Sequence, residues 1–258
     1  MQKCIKHQAN YAEKLVTCEH QKYGPMRLII GFIALLFITS CIDLASERGN
    51  GVRIEEKITI DEFDRLEIGG AFIVKLTQDE SDEVIVETDE NLLDFIEIAV
   101  RGNTLEVNSE RRLDSREGII ISIPIQELTR LSSSGASEVM TTNPIQTENL
   151  DIDLSGAGKL DLKLDAQDIS LDISGASLIY LEGAAQTLDI NMSGASSLEA
   201  SELEVKDCFA QISGVGKILV NVTGTLDAEV SGLGEVVYVG EPESVKGDVS
   251  GVGNIGRK

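Results

Sequence analysis

Serine followed by glycine recurs at regular intervals in the second half of this 258-residue chain. The serines are Ser134, Ser155, Ser174, Ser193, Ser213, Ser231 and Ser250. A serine becomes a nucleophile when a neighbouring base, most often histidine, removes its proton. The two histidines, His7 and His20, both lie in the first 25 residues, which we expect the mature protein to lack. We therefore predict no catalytic residue, no metal site and no cofactor.

Carboxylates are the other groups in the repeats that could do chemistry. Pairs such as Asp151/Asp153 and Asp161/Asp165 have the residue type of a glycoside hydrolase, whose two carboxylates lie about 5–9.5 Å apart. A lyase would need bound calcium with an arginine or lysine base. No arginine lies between Gly135 and Gly256, and the lysines there are scattered. A polysaccharide lyase or hydrolase remains the second alternative, and we expect that the protein is not an enzyme.

The charge of the chain bears on its partners. Formal net charge is −22, and beyond residue 40 there are 17 basic and 42 acidic residues. A surface this acidic repels phosphate backbones, so we expect no nucleic-acid partner. It also argues against peripheral binding to anionic lipid.

An export signal is indicated near the N-terminus. Met26 and Arg27 precede an apolar run over 28–38, which Thr39, Ser40 and Cys41 follow. The run is too short for a membrane-spanning helix, which needs about 20 residues, and fits the apolar core of a signal peptide. Small residues leading into a cysteine resemble a bacterial lipoprotein signal, in which the cysteine is acylated. A conventional secretory signal with an incidental cysteine is the alternative.

These features give the predicted organisation of the N-terminal part. Residues 1–25 fit no export signal and are expected to precede the true start at Met26. Residues 26–40 form the lipoprotein signal peptide, and residues 41–52 are the lipidated Cys41 and a tether. Cys208 is then the one thiol besides Cys41, so no internal disulfide is expected.

Around each Ser-Gly pair, apolar residues occupy every second position. Leu150, Ile152 and Leu154 precede one pair, and Leu160 and Leu162 follow it. A period of two with one apolar face is typical of a half-buried strand. Each unit is therefore strand, turn, strand and second turn. The glycines are 21, 19, 19, 20, 18 and 19 residues apart, which favours stacked coils of about 19 residues.

The turn itself has a repeated composition. A small or apolar residue follows each glycine: Ala136, Ala157, Ala176, Ala195, Val215, Leu233 and Val252. We expect these side chains to point inward and to form a column inside a tube. Glycine would supply either a positive φ or an uncrowded backbone. A parallel β-helix is favoured over an antiparallel sandwich, because a fixed period brings equivalent positions into register.

Residues 53–130 are β-rich but less periodic than residues 131–258, which form the Ser-Gly repeat. We predict strands at 56–60, 66–68, 72–76, 83–87, 96–101, 104–108 and 118–123, with one helical turn near Asp89 and a hairpin turn at Gly102. The segment is interpreted as the cap and irregular first coils of the same domain. A separate sandwich domain is the alternative.

The sequence Phe63-Asp-Arg-Leu-Glu-Ile-Gly-Gly-Ala-Phe-Ile-Val-Lys-Leu-Thr-Gln78, with 84–87, 91–93 and the Ser-Gly repeats, resembles the auto-transporter adhesin head GIN domain family. The resemblance covers about residues 55–256. It implies a right-handed parallel β-helix, pectin-lyase-like in outline, in an exported or lipid-anchored protein of Bacteroidetes-type bacteria. It implies no established catalytic residue.

We therefore expect a non-catalytic cell-envelope lipoprotein that presents a rigid β-helix surface for binding. Its expected partners are the outer membrane, through the lipid anchor at Cys41, and a glycan or protein ligand. Either the periplasmic or the cell-surface side is open. An envelope structural or assembly protein, associating through the solenoid ends, is the first alternative.

Overall fold

Strands account for nearly all of the regular structure in residues 46–258, the part of the chain that the computed structural model describes. They are β1 (Glu47–Arg48), β2 (Arg53–Thr59), β3 (Arg65–Gly69), β4 (Ile73–Gln78), β5 (Glu83–Asp89), β6 (Ile96–Arg101), β7 (Thr104–Ser109), β8 (Leu113–Asp114), β9 (Ile120–Ile125), β10 (Arg130–Ser133), β11 (Glu138–Thr141), β12 (Ile145–Leu154), β13 (Lys159–Ile173), β14 (Leu178–Met192), β15 (Ala195–Ile212), β16 (Val215–Val222), β17 (Thr225–Val230), β18 (Leu233–Val239), β19 (Ser244–Val249) and β20 (Val252–Arg257). A 3₁₀ helix, Glu90–Phe95, lies between β5 and β6. The predictions for residues 1–45, including the signal peptide and Cys41, lie outside the described residues.

The repeats form parallel coils in which equivalent residues lie in register. One column of paired positions runs Leu150, Ile169, Leu188, Cys208, Leu226, Val245. Neighbouring strands in a sheet are about 4.8 Å apart, so each coil advances the solenoid by that distance. The prediction of an all-β parallel β-helix with coils of about 19 residues is confirmed.

The interior is built from aliphatic side chains. Alternate residues of the central strands are buried, as in β13, where Leu160, Leu162 and Leu164 are inside. One cluster of buried residues extends from Leu66 to Val236. Each buried Leu, Ile or Val contributes about 1.5–3 kcal/mol on removal from water, and the coils share these contacts. Stability is therefore a property of the stack rather than of a single coil.

The small residues of the turn do not point inward, and this prediction was wrong. Ala157, Ala176 and Ala195 stack in adjacent coils, and their N–H groups donate to the preceding coil at 2.9–3.0 Å, but their side chains are exposed. The side chains of Ser177 and Ser196, which follow Ala176 and Ala195, are buried instead. The alternation of inward and outward side chains continues through the corner without a break. Ser155 and Ala157, which lie one and three positions after the buried Leu154, therefore face outward.

Close backbone approach, not positive φ, explains the glycines of the Ser-Gly pairs. The φ angles of these glycines are negative, whereas Gly102 in the β6–β7 hairpin has φ 64°. A methyl group added at Gly175 would lie 1.8 Å from the carbonyl oxygen of Gly156, and one added at Gly156 would lie 1.8 Å from the carbonyl oxygen of Gly135. The glycines thus stack along the corner because any side chain there would collide with the coil before it.

The N-terminal coils do not stack in chain order. On one side, β3 pairs with β10 and β4 pairs with β11. On the other side, β3 pairs with β7 and β4 pairs with β9, and all four partners come later than β4 in the chain. The antiparallel pairs β2–β5, β5–β9 and β6–β7 extend this end. Gly70 lies beneath Gly135, so residues 69–71 form an additional copy of the turn with Gly69 in the place of serine.

The last coil, β19 and β20, is much less buried than those before it. Every residue of β19 is exposed, including Val245 and Val249, which are in register with the buried Leu226 and Val230. Each of these two strands pairs with one other strand in residues 46–258, β17 and β18 respectively. Within the described residues, the interior of the solenoid is therefore open at this end.

Candidate functional site

The serines of the Ser-Gly pairs form an exposed column along one corner of the solenoid. Each precedes a stacked glycine, so successive serines are about 4.8 Å apart along the axis. Ser193 Oγ donates to the carbonyl of Ile173 at 3.4 Å, and Ser231 Oγ to that of Ile212 at 3.4 Å. These long bonds leave the hydroxyl lone pairs free to meet a ligand.

A groove runs beside the serine column across five coils. We call it the corner groove, and it has a volume of about 340 Å³. Its polar lining consists of five of the serines and the side chains two positions before them: Ser155, Ser174, Ser193, Ser213, Ser231, Asp153, Asp172, Asn191, Gln211 and Glu229. The strand positions that precede each corner therefore supply a second polar column parallel to the serines.

On the other side of the glycines lies an apolar column. We call it the corner ridge, and it consists of Ala136, Ala157, Ala176, Ala195, Val215, Leu233 and Val252. Side-chain size increases toward the C-terminal end, where Val215, Leu233 and Val252 are 55%, 55% and 75% exposed. Stacked apolar side chains that face water are a typical feature of an interaction surface.

The groove carries net negative charge that neighbouring residues neutralise only in part. Asp153 forms an ion pair with Arg130, and Gln211 Nε2 donates to Glu229 Oε2 at 3.3 Å. Asp172 lies next to Asp153 in the strand register. Such a groove favours ligands that donate hydrogen bonds to carboxylates and disfavours anionic ones.

One carboxylate of each pair noted from the sequence forms an ion pair. Asp153 contacts Arg130, and Asp161 Oδ2 lies 3.6 Å from Lys159 Nζ. Carboxylates of this kind accept hydrogen bonds, so they add acceptor groups to the surface of the solenoid.

Inward-facing serines, which the sequence analysis did not single out, stabilise the corner. Ser137 Oγ donates to the carbonyl of Gly70 at 3.0 Å, and Ser196 Oγ to that of Gly175 at 3.2 Å. Ser196 Oγ also accepts from the N–H of Ser177 at 2.9 Å. In the sequence, the signal for these inward serines was the residue after the small or apolar one in each turn, which is always serine or glycine. Alternation places this residue inside, where a larger polar side chain would not fit.

The structure also places the described cysteine. Cys208 is fully buried in the column of Leu188 and Leu226, and burial raises the pKa of its thiol to about 12. The predicted lipidation site, Cys41, lies outside the described residues. In residues 46–258 no three His, Cys, Asp or Glu side chains are placed to hold a metal ion. No helix within that range is long and apolar enough to cross a membrane.

Comparison with solved structures identifies several proteins of the same architecture. A "putative adhesin" from Bacteroides fragilis is 28% identical, with a TM-score of 0.78 over 82% of this chain and 99% of that chain. A "putative adhesin" from Parabacteroides merdae is 23% identical, with a TM-score of 0.62 over 83% of this chain and 99% of its own. A "putative lipid binding protein" from Parabacteroides distasonis is 24% identical, with a TM-score of 0.64 and the same coverage. Among curated proteins, none matches the chain in sequence.

Fold and groove together define the class, a β-solenoid with a repetitive, largely polar surface. Residues 62–242 match the family described as "Putative auto-transporter adhesin, head GIN domain", and the chain belongs to this family. Family membership supports an adhesin-like role and an extracellular or envelope-associated location.

Proposed function

We propose that the protein is a non-catalytic envelope lipoprotein that binds a polymeric ligand, a glycan, along the corner of its solenoid. The observation that carries this proposal is the parallel course of the corner groove and the corner ridge. One column offers hydroxyl, amide and carboxylate groups, and the other offers apolar side chains. Both repeat at the spacing of the coils.

Carbohydrate has the matching chemistry. A sugar ring presents hydroxyl groups at its edge and C–H groups on its faces, so it can use the polar and the apolar column together. Each contact is weak, but a chain of sugars can engage several coils at once, and linked contacts raise the apparent affinity steeply. The acidic lining favours neutral or cationic glycans over anionic ones.

Glycan-array binding by residues 46–258 tests the proposal. Ser174→Tyr should fill the middle of the corner groove and weaken binding by about tenfold or more, about 1.4 kcal/mol. Gln186→Tyr is the matched control, because Gln186 is exposed in the coil of Ser174 and does not line the groove. Leu233→Asp should weaken binding through the ridge.

Two results would contradict the assignment of the groove. One is binding by Ser174→Tyr with the affinity of the unchanged protein. The other is a protein that binds neither a glycan nor a protein ligand at this corner. Release of reducing sugar from a bound glycan would instead support the hydrolase alternative.

The lipid anchor is a separate part of the proposal. The signal and Cys41 support acylation and attachment to the outer membrane. Cys41→Ser should move the protein from the membrane to the soluble fraction and remove the incorporation of labelled fatty acid. Unchanged membrane attachment of this variant would refute the anchor without affecting the groove.

A further inference from the structure

The outer edge of the last coil carries backbone groups that have no partner within residues 46–258. Ser244 and Ser250 donate their N–H groups to Gly224 and Val230 of the preceding coil, at 3.2 and 3.0 Å. Backbone groups alternate in direction along a strand, so the N–H and C=O groups of Val245, Gly247 and Val249 point away from that coil. An edge of this kind readily pairs with another strand.

The interior of the protein is exposed at the same edge. Val245 and Val249 occupy inward positions but are each 43% exposed. Terminal coils of solenoids usually carry a polar cap that protects the core. At the opposite end, the antiparallel strands and the 3₁₀ helix supply such a cover.

We propose that a second copy of this chain covers the open end, with β19 of each copy paired antiparallel about a two-fold axis through Gly247. The sequence of the strand and the residue after it carries this inference. Residues 244–250 read Ser-Val-Lys-Gly-Asp-Val-Ser, which is symmetric about Gly247 except that Lys246 corresponds to Asp248.

The symmetry produces complementary contacts in every pair. Val245 of one copy lies opposite Val249 of the other, in an inward position that continues the core. Lys246 lies opposite Asp248 on the outer face, where the residues form a non-hydrogen-bonded pair with close side chains. A two-fold interface requires a surface that is complementary to itself, and this strand meets that requirement.

The edge groups fit the same register. The outward N–H and C=O groups of Val245, Gly247 and Val249 fall at the hydrogen-bonded pairs of this antiparallel arrangement. Within its own chain, Lys246 has a contact of 3.8 Å to Asp227 and remains well exposed, so it is free to reach Asp248 of a second copy.

Sedimentation equilibrium of residues 46–258 tests the proposal, since this fragment contains the whole of the described core. The unchanged fragment should form dimers at micromolar concentrations. K246D and D248K each place like charges opposite one another and should weaken the dimer by about tenfold or more. The double variant K246D/D248K restores opposite charges and should recover the original dissociation constant to within about threefold.

D168K is the matched control, because it makes the same charge change as D248K on a distant coil and outside the corner groove, and it should leave the dissociation constant unchanged. A fragment that is still monomeric at about 100 µM would overturn the proposal, because its dissociation constant would then be too high for a stable dimer. A dimer that K246D does not weaken, or that the double variant does not restore, would overturn the β19 pairing. Because glycan binding uses the corner and not the end, these results are independent of the proposed function.

Discussion

The corner of each coil is governed by a contact between one residue and the backbone of the coil before it. Gly175 lies where a methyl group would be 1.8 Å from the carbonyl oxygen of Gly156, and that oxygen already accepts the N–H of Ala176 at 3.0 Å. The obstacle is backbone rather than a movable side chain. A substitution at this position must therefore displace a whole coil.

Gly175→Ala should lower the free energy of unfolding by about 3 kcal/mol, at the upper end of the usual cost of overpacking. Ser174→Ala, at the neighbouring exposed position, should change the free energy by less than about 0.5 kcal/mol. Urea unfolding followed by circular dichroism measures both. Equal effects of the two substitutions would show that the serine, not the close approach of backbones, determines the motif.

The thiol of Cys208 provides a second prediction for a single residue. Its pKa is raised to about 12 by burial, so it should not react with maleimide at pH 7–8 in the native protein and should react once urea unfolds it. The pKa of the thiol in the folded protein exceeds the unfolded value of about 8.5. The free energy of unfolding should therefore be constant with respect to this group below about pH 8.5 and should decrease as the pH rises above it. The fragment 46–258 contains no other cysteine, so labelling reports on Cys208 alone. Rapid labelling under native conditions would contradict the burial.

Among the elements, the segment 46–52 is held by β1–β8 pairing, by side-chain hydrogen bonds of Asn91 and by the carboxylate of Asp89. Asp89 accepts hydrogen bonds from Ser115 Oγ at 2.5 Å and from the N–H of Gly51 at 2.8 Å. The bond from Ser115 is the main cause that lowers the pKa of Asp89, with the bond from Gly51 and the nearby Arg53 acting in the same direction. The position of the predicted tether thus depends on a charged group.

Acid should release this segment. A carboxylate whose pKa is lowered by folding stabilises the folded state above the unfolded value of about 3.9, and the contribution is lost as the pH falls through the folded value. The amide resonance of Gly51 should therefore titrate with a midpoint below pH 3.9. Asp89→Asn should increase amide exchange in residues 46–52 at neutral pH, whereas Glu117→Gln, nearby but not bonded to the segment, should not. Unchanged exchange in Asp89→Asn would show that β1–β8 pairing and the hydrogen bonds of Asn91 hold the segment without the carboxylate.

Much of the element structure follows from the sequence, and the exceptions have physical causes. The strands on either side of each pair were predictable because Leu and Asp alternate there. Strict counting from Leu154 would have placed Ala157 outside, so the wrong prediction arose from treating the corner as a break in the alternation. The stacking of Gly70 under Gly135 was not predictable, because 65 residues separate the two copies and the serine is replaced by Gly69. The two columns of polar residues could be read from the sequence, but the groove between them could not, because it depends on how the backbone bends at the corner.

At the scale of the whole molecule, stability should vary along the axis. Central coils such as those of β13 and β14 have a neighbour on each side, whereas β19 and β20 have one. Local opening free energies follow the number of neighbouring contacts that must be broken. The coils therefore form a graded series from the centre to the open end.

Hydrogen exchange measured well below the dissociation constant of the proposed dimer should show the fastest strand amides in β19 and β20 and the slowest in β13 and β14. At concentrations high enough for dimer formation, amide protection should rise at Val245, Gly247 and Val249 and remain unchanged in β13. Uniform exchange along the axis would contradict the graded stability.

The placement of β3 and β4 between strands that follow them in the chain has a consequence for biogenesis. A polypeptide that crosses a membrane N-terminus first delivers residues 65–78 before either of their lateral neighbours, at 104–125 and 130–141, has emerged. Coil-by-coil winding from the leading end is therefore impossible for this chain. Its first stable nucleus must await roughly half of the polypeptide, after which the remaining coils can be laid down in the order of their emergence.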